Sequence, residues 1–267
     1  MKKLVYGGLF LALVGIGFVA CEKESIQAPT VIENTKVKSQ LSNTQSNKSL
    51  VIISEDNVGY YHNEMVKYIF DKIKKIGTAS QINDSIKQSE FIKNIGIEFC
   101  NLHNIKLPNE FTKIPDELLY TDVTNNEVFS EQERSILNSS FDMVYSIDEN
   151  SDCDLINNNL ISKLNQISVL PNSKGNIIGK AIINQLISSL DLWISQNYSI
   201  YLPDYVKAKP GQNGRVLGKD ASALGWSLLA GGWSSPIGWC GSMFISAGAS
   251  IGAWMGEHGY NTTWWPW

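Results

Sequence analysis

The stretch that decides the fold is residues 221–256, with the sequence ASALGWSLLAGGWSSPIGWCGSMFISAGASIGAWMG. It lies between Asp220 and Glu257, carries no charged side chain, and contains eight glycines and four tryptophans. The WSSP sequence at residues 233–236 divides it, because proline cannot donate a helical hydrogen bond and disfavours helical geometry in the residue before it. The stretch therefore predicts a helical hairpin.

The second arm of this hairpin has one face with almost no side chains. Gly248, Gly252 and Gly256 recur at every fourth position, and Ala249 and Ala253 lie beside them. Residues four apart share a helix face, and small residues let another helix approach closely. We predict that these five residues form a helix-packing row. Serines at positions 242, 246 and 250 lie on an adjacent row.

The second arm is long enough to span a bilayer, but its composition is poor for that purpose. Residues 237–256 are uncharged, and about 20 apolar residues are needed to cross the hydrocarbon. Glycine, however, costs about 1 kcal/mol per residue in a helix. The hairpin therefore needs a partner surface, which is the protein's own body, a second copy, or a membrane in which several copies associate.

The chain begins with Lys2 and Lys3, an apolar run over residues 4–19, and Ala20 directly before Cys21. This succession resembles a bacterial lipoprotein signal with its lipobox, in which Phe18 stands where leucine is usual. The resemblance implies a signal peptide over residues 1–20 and a covalent lipid on Cys21, which anchors the protein in a membrane. We expect no other cofactor. The alternative is an ordinary secretory signal followed by a chance cysteine.

Two further segments resemble proteins of one bacterial group. Residues 22–25 (EKES) resemble the export signal of surface-displayed Bacteroidota lipoproteins, and residues 59–64 (GYYHNE) resemble a stretch in uncharacterised Bacteroidota lipoproteins with glycine- and alanine-rich tails. The resemblance implies an outer-membrane lipoprotein exposed at the cell surface, and it implies no known activity. Residues 21–49 have the polar composition of a flexible tether.

From residue 58 onward the hydrophobic period is helical. We predict helices over residues 58–76, 81–104, 153–170 and 176–198, a helix that follows the capping box of Ser130 and Glu133, and a short helix at 116–120. The prediction is an all-α protein with a helical bundle body at 50–201, a hinge at 202–220, the hairpin at 221–256 and an aromatic tail at 257–267. We expect the body to fold without the hairpin.

The sequence carries no recognisable catalytic or metal-binding constellation, so we predict that the protein is not an enzyme. There is no Gly-x-Ser-x-Gly motif, and His62 and His103 lack a second ligand at helical spacing. We therefore expect both histidines to be polar residues in the bundle core. The acidic loop at residues 148–154 lacks the glycine and glutamate of a calcium loop. We therefore interpret this loop as an exposed acidic turn.

Charge and cysteine content exclude two further classes. A net charge of −4 without a basic stripe argues against nucleic acid as a partner. Beyond Cys21 the three remaining cysteines have no paired spacing, so no disulfide framework is predicted.

Two functions of different classes remain open. In the first, the hairpin mediates membrane interaction or self-association as an effector, and its GxxxG spacing resembles that of the pore-forming peptides of two-component bacteriocins. Indole rings favour the membrane interface, and the expected interface residues are Trp264, Trp265 and Trp267. In the second, the protein is a surface module for an unknown protein or glycan partner, and the hairpin is structural. The burial of four tryptophans distinguishes the two functions: Trp226, Trp233, Trp239 and Trp254.

Overall fold

The structure is a computed structural model, and it describes residues 49–76, 85–115, 117–148, 150–195 and 212–257. The chain divides into two units, Met1–Asn47 and Lys48–Trp267, and all described residues lie in the second unit. Several predictions fall outside the described residues. They are the signal peptide, lipidation of Cys21, the tether up to residue 48, the hinge over 202–211, and interface roles for Trp264, Trp265 and Trp267.

The described part of the chain contains eight α-helices and no strand, which confirms the all-α prediction. The helices are α1 (Val58–Ile76), α2 (Ser85–Leu102), α3 (Tyr120–Thr124), α4 (Glu131–Tyr145), α5 (Cys153–Ser168), α6 (Lys174–Leu190), α7 (Gln212–Leu229) and α8 (Pro236–Glu257). A π-helical turn, Asp191–Ser195, extends α6. A 3₁₀ turn, Gly232–Ser234, lies between α7 and α8.

Polar caps determine where α4, α5 and α6 begin. The Ser130 hydroxyl accepts a hydrogen bond from the Glu133 N–H at 3.2 Å, and the Glu133 carboxylate accepts one from the Ser130 N–H at 2.7 Å. The predicted capping box is therefore confirmed. Asp152 and Ser173 each accept a hydrogen bond from the backbone N–H three residues further along. The cap at Ser173 starts α6 at Lys174, two residues before the predicted start.

Two predicted segments are corrected by the structure. The short helix predicted at 116–120 is instead Tyr120–Thr124, because the Leu119 N–H donates to the Asp122 carboxylate at 2.8 Å and so starts the helix there. The hinge predicted at 202–220 is helical from residue 212, because α7 begins at Gln212. Val216 and Leu217 are buried in the core, and their burial favours the helix over a loop.

The close approach of α7 to α4 also explains this early start. A Cβ atom at Gly214 would lie 2.3 Å from the carbonyl oxygen of Val144, the residue before the end of α4. Only glycine permits this spacing, so the first turn of α7 packs directly against the backbone of α4.

One hydrophobic core joins the body and the hairpin. Helix α6 supplies Ile178, Ile182 and Leu186 to it, each with an exposed fraction of 0%. Seven of the large side chains that α7 and α8 supply to the same core are at most 1% exposed: Val216, Leu217, Leu224, Leu228, Met243, Phe244 and Ile251. The shared core argues against the expectation that residues 50–201 fold without the hairpin.

Helices α7 and α8 form the predicted hairpin, and glycines make its turn. Gly231 has φ of +121°, a conformation that favours glycine. A Cβ atom at Gly238 would lie 2.3 Å from the carbonyl oxygen of Gly232, so the start of α8 touches the turn backbone. Pro236 is the first residue of α8, where its missing N–H costs no helical hydrogen bond.

Candidate functional site

The serine row of α8 forms the contact with α7. The Ser242 hydroxyl donates to the Ser227 hydroxyl at 2.9 Å, and the Ser246 hydroxyl donates to the backbone carbonyl of Asp220 at 2.8 Å. Both α8 serines are fully buried. Small hydroxyl side chains let the two helices approach closely while these two buried donors keep partners.

The predicted helix-packing row on α8 has both buried and exposed members, and its role in helix packing stays a prediction. Gly248 and Gly252 are buried, Ala249 and Ala253 are partly buried, and Gly256 is exposed near the end of the helix. The interhelical hydrogen bonds to α7 come from the serines, which the sequence analysis treated only as neighbours of the glycine row. The hydroxyl groups of Ser242 and Ser246 are the signal in the sequence that indicates this contact with α7.

The tryptophans of the hairpin pack against the body. All four contact the hydrophobic core: Trp226, Trp233, Trp239 and Trp254. The exposed fractions of Trp239 and Trp254 are 6% and 5%. The indole N–H of Trp226 donates to the backbone carbonyl of Lys113 at 3.2 Å, and the Trp254 ring meets Phe70 of α1 edge-on at 5.3 Å.

Asp220 is a fully buried carboxyl group at the point where the uncharged stretch begins. Its Oδ2 accepts hydrogen bonds from the Ser189 hydroxyl at 2.7 Å and from the Trp193 indole N–H at 3.1 Å. Nε2 of His62, which is also fully buried, lies 3.7 Å from the same oxygen. Side chains of α1, α6 and the π-helical turn therefore meet at one carboxyl group of α7.

Neighbouring amides determine the orientation of the His62 ring. The Asn63 side-chain amide donates to the backbone carbonyl of Ser188 at 2.7 Å, so its oxygen faces Nδ1 of His62 at 3.1 Å. This network assigns the ring proton to Nδ1, since an amide oxygen accepts only from a donor. In the neutral ring, the lone pair of Nε2 then faces Asp220.

Burial shifts the pKa values of both groups toward their neutral forms. It lowers the pKa of His62 from 6.5 to about 4, against the opposing effects of Asn63 and Ser246. It raises the pKa of Asp220 from 3.8 to about 8, against the hydrogen bonds from Ser189 and other neighbours. At neutral pH the Asp220 carboxyl group is therefore protonated and the His62 ring is neutral, so neither side chain is charged.

The cluster is not fully satisfied by protein partners. Within the described residues, the buried atoms without a hydrogen bond include His62 Nε2, Asp220 Oδ1 and Gln185 Oε1. An unsatisfied buried polar group costs about 1–3 kcal/mol. The cluster therefore costs stability compared with an apolar core, and it fixes which helices meet at this point.

A serine, a histidine and a carboxyl group meet here, but they are not arranged for nucleophilic catalysis. The Ser189 hydroxyl donates to Asp220 rather than to His62, so the histidine is not placed to activate it. All three side chains are shielded from solvent, with Ser189 and Asp220 each at 0% exposure. Within the core, the site holds a protonated Asp220 carboxyl group beside a neutral His62 ring.

The remaining candidate residues have structural roles. His103 is partly buried, and its ring lies 4.3 Å from that of Phe99. In the acidic loop the Asp148 carboxylate accepts hydrogen bonds from the Ser151 hydroxyl and the Asn150 N–H, both at 2.9 Å. These contacts form the turn that precedes α5. Among the described residues, no group of three or more histidine, cysteine or acidic side chains could hold a metal ion.

The sequence pattern missed Asp220 as a core residue, although a signal was present. Val216, Asp220 and Leu224 are spaced by four residues, which places Asp220 between two apolar side chains on one helix face. In the sequence, Asp220 is notable only as the border of the uncharged stretch. The prediction that His62 is a polar residue of the bundle core is confirmed by its 0% exposure.

By length and composition, one helical segment within the described ranges could cross a membrane, and it is not in the hairpin. This segment is Lys174–Ile194, with a mean hydropathy of 1.3 and 61% of its apolar window buried in the bundle. Core helices of bundles pass the same test, so the finding is weak evidence for a span.

Comparisons of the chain with protein-family models, curated proteins and solved structures found no match. Its own geometry defines the class of the described part: an all-α bundle with a buried glycine-rich hairpin and a buried histidine–aspartate pair.

Proposed function

We propose that this protein is a lipid-anchored, non-enzymatic envelope protein whose helical body binds a protein or glycan partner at the cell surface. The burial of the hairpin tryptophans carries this proposal. A membrane-active or self-associating hairpin would need an exposed apolar face, whereas Trp239 and Trp254 are only 6% and 5% exposed. The hairpin is then a structural part of the module.

The proposed anchor is the lipid on Cys21, which is inferred from the lipobox resemblance. The polar composition of residues 21–49 is that of a tether between this anchor and the body. Cys21→Ala should yield an unprocessed precursor without acyl label, and a mature N-terminus elsewhere would contradict the anchor.

One partly exposed aromatic face is suited to a partner. The rings of Tyr120 and Tyr145 lie 5.5 Å apart, and the Tyr120 hydroxyl donates to the Asp142 carboxylate at 2.8 Å. Tyr145 is 36% exposed. Tyrosine is enriched among the residues that dominate binding energy, because it offers a large rigid ring and a polar group. We infer that this α3–α4 face, formed by Tyr120, Asp142 and Tyr145, contacts the partner.

Two experiments test the proposal. Purified residues 22–267, which lack both the apolar run and the lipidated cysteine, should neither float with anionic lipid vesicles nor release a trapped dye at neutral pH. Leakage or flotation would instead support the effector function.

The second experiment places a photo-crosslinking amino acid at position 120 in intact cells. A specific adduct is expected at this position and not at Asn165, an exposed residue of α5. Equal labelling at the two positions, or none at position 120, would contradict the assignment of the α3–α4 face.

A further inference from the structure

We propose that His62 and Asp220 form a proton-dependent latch that holds the α7–α8 hairpin in the bundle. Loss of the proton from the Asp220 carboxyl group loosens the hairpin. The inference does not depend on the partner that the α3–α4 face binds. It concerns when the hairpin stays buried.

The latch lies on α7 at the point where the hairpin meets α1, α6 and the π-helical turn. Through its carboxyl group, Asp220 contacts Ser189 of α6, Trp193 of the π-helical turn and His62 of α1. Through its backbone carbonyl it accepts a hydrogen bond from Ser246 of α8. A new charge on this carboxyl group therefore acts on all these contacts at once.

The protonation state decides whether the contact with His62 is favourable. The amide of Asn63 fixes the ring so that the Nε2 lone pair faces Oδ2 of Asp220 at 3.7 Å. A lone pair facing a carboxylate is repulsive, and protonation of the carboxyl group removes that repulsion. The geometry thus favours the one-proton state of the pair.

The surroundings supply little charge to compensate an ionised Asp220. The polar groups that α6 and α8 present are neutral: Gln185, Ser189, Ser246 and Ser250. Helix α4 presents Tyr145, whose pKa is raised mainly by burial and to a smaller extent by the charges of Tyr120 and Asp220. The charge of Asp122 from α3 acts on Lys219, the preceding residue. In the described part of the chain, the ion-pair partner of Asp220 is His62.

The sign of the pH dependence follows from the two pKa shifts. Between about pH 4 and 6.5, the folded chain holds an extra proton on Asp220 and lacks one on His62, so the two effects cancel. Between 6.5 and about 8 only the Asp220 proton remains, and folding weakens as pH rises. One proton changes the opening equilibrium about tenfold per pH unit at full slope. Because unfolded His62 is half-protonated at pH 6.5 and folded Asp220 at about pH 8, the change over this interval is roughly tenfold.

Hydrogen exchange on the Cys21→Ala chain tests the latch. Protection of the α7 and α8 amides, corrected for intrinsic exchange rates, should fall roughly tenfold between pH 6.5 and 8, with a smaller loss in α5. An infrared band of a protonated buried carboxylic acid should lose about half of its intensity over the same interval. Protection independent of pH, an equal loss in all helices, or the absence of the band at pH 6.5 would overturn the proposal.

Asp220→Asn separates the charge from the shape of the side chain. Asparagine has nearly the size and shape of the carboxyl group, and its oxygen still accepts from Ser189 and Trp193, but it cannot ionise. The pH-dependent loss of protection should disappear in this variant and persist in Asp154→Asn, a matched change on the exposed first turn of α5. A loss that persists in Asp220→Asn would refute the latch. If this variant does not fold, the exchange and infrared measurements on the Cys21→Ala chain still decide.

Discussion

Nε2 of His62 lies 3.7 Å from Oδ2 of Asp220, and both side chains are fully buried. The first of these residues lies in the first described helix, and the second lies on the first arm of the hairpin. The two ends of the described chain are therefore joined inside one core. A charge at either residue has no access to water, so its protonation is linked to folding.

The free energy of unfolding should decrease at mildly alkaline pH. The folded pKa of Asp220 is raised to about 8, so its contribution is lost as pH rises toward that value. The contribution of His62, with its pKa lowered to about 4, is already fully present above its unfolded pKa of 6.5. We expect a decrease of about 1 kcal/mol between pH 6.5 and 8, measured by urea unfolding. A flat profile would contradict the burial of an uncharged Asp220.

Removing the hairpin should prevent native packing of the body. The seven large core side chains of α7 and α8 contribute roughly 10–20 kcal/mol at about 1.5–3 kcal/mol each, whereas a whole domain is stable by only about 5–15 kcal/mol. A fragment of residues 50–201 should bind a hydrophobic dye and lose near-ultraviolet circular dichroism. A cooperative unfolding transition of this fragment would show that the body folds alone.

Gly238→Ala should destabilise the hairpin although alanine is the better helix former by about 1 kcal/mol. The added Cβ would lie 2.3 Å from the carbonyl oxygen of Gly232, and that atom belongs to the backbone of the turn. We expect a net loss of about 1–3 kcal/mol in thermal or urea unfolding. Gly256→Ala is the matched control on the exposed end of α8, and it should be neutral or slightly stabilising.

The cysteines should differ sharply in reactivity. Cys100 and Cys240 are buried, and burial raises the pKa of their thiols to about 12 and about 11. Because the thiolate is the reactive form, iodoacetamide at pH 7.5 should modify only the partly exposed Cys153 in folded Cys21→Ala chain. All three thiols should react in urea. Rapid labelling of either buried cysteine in the folded chain would contradict the packing of α2 against α8.

The local features of the sequence predicted much of the fold. Helix α1 has the predicted bounds of residues 58–76, α4 follows its predicted capping box, and Pro236 begins the second arm of the hairpin. These features depend on neighbours within a few residues: an apolar period of 3.6, a side-chain cap, or a proline. Such information is complete in a short window of sequence.

The face that each helix buries was decided only by the tertiary structure. The sequence presented a glycine row and a serine row on α8 as neighbours, and the contacts with Ser227 and Asp220 come from the serines. Likewise, Asp220 marked a boundary in the sequence and is a core carboxyl group in the fold. Burial and pKa depend on which distant helices enclose a side chain, and His62 and Asp220 are separated in sequence by most of the described chain. The pair therefore exists only once α1, α6 and α7 have packed together.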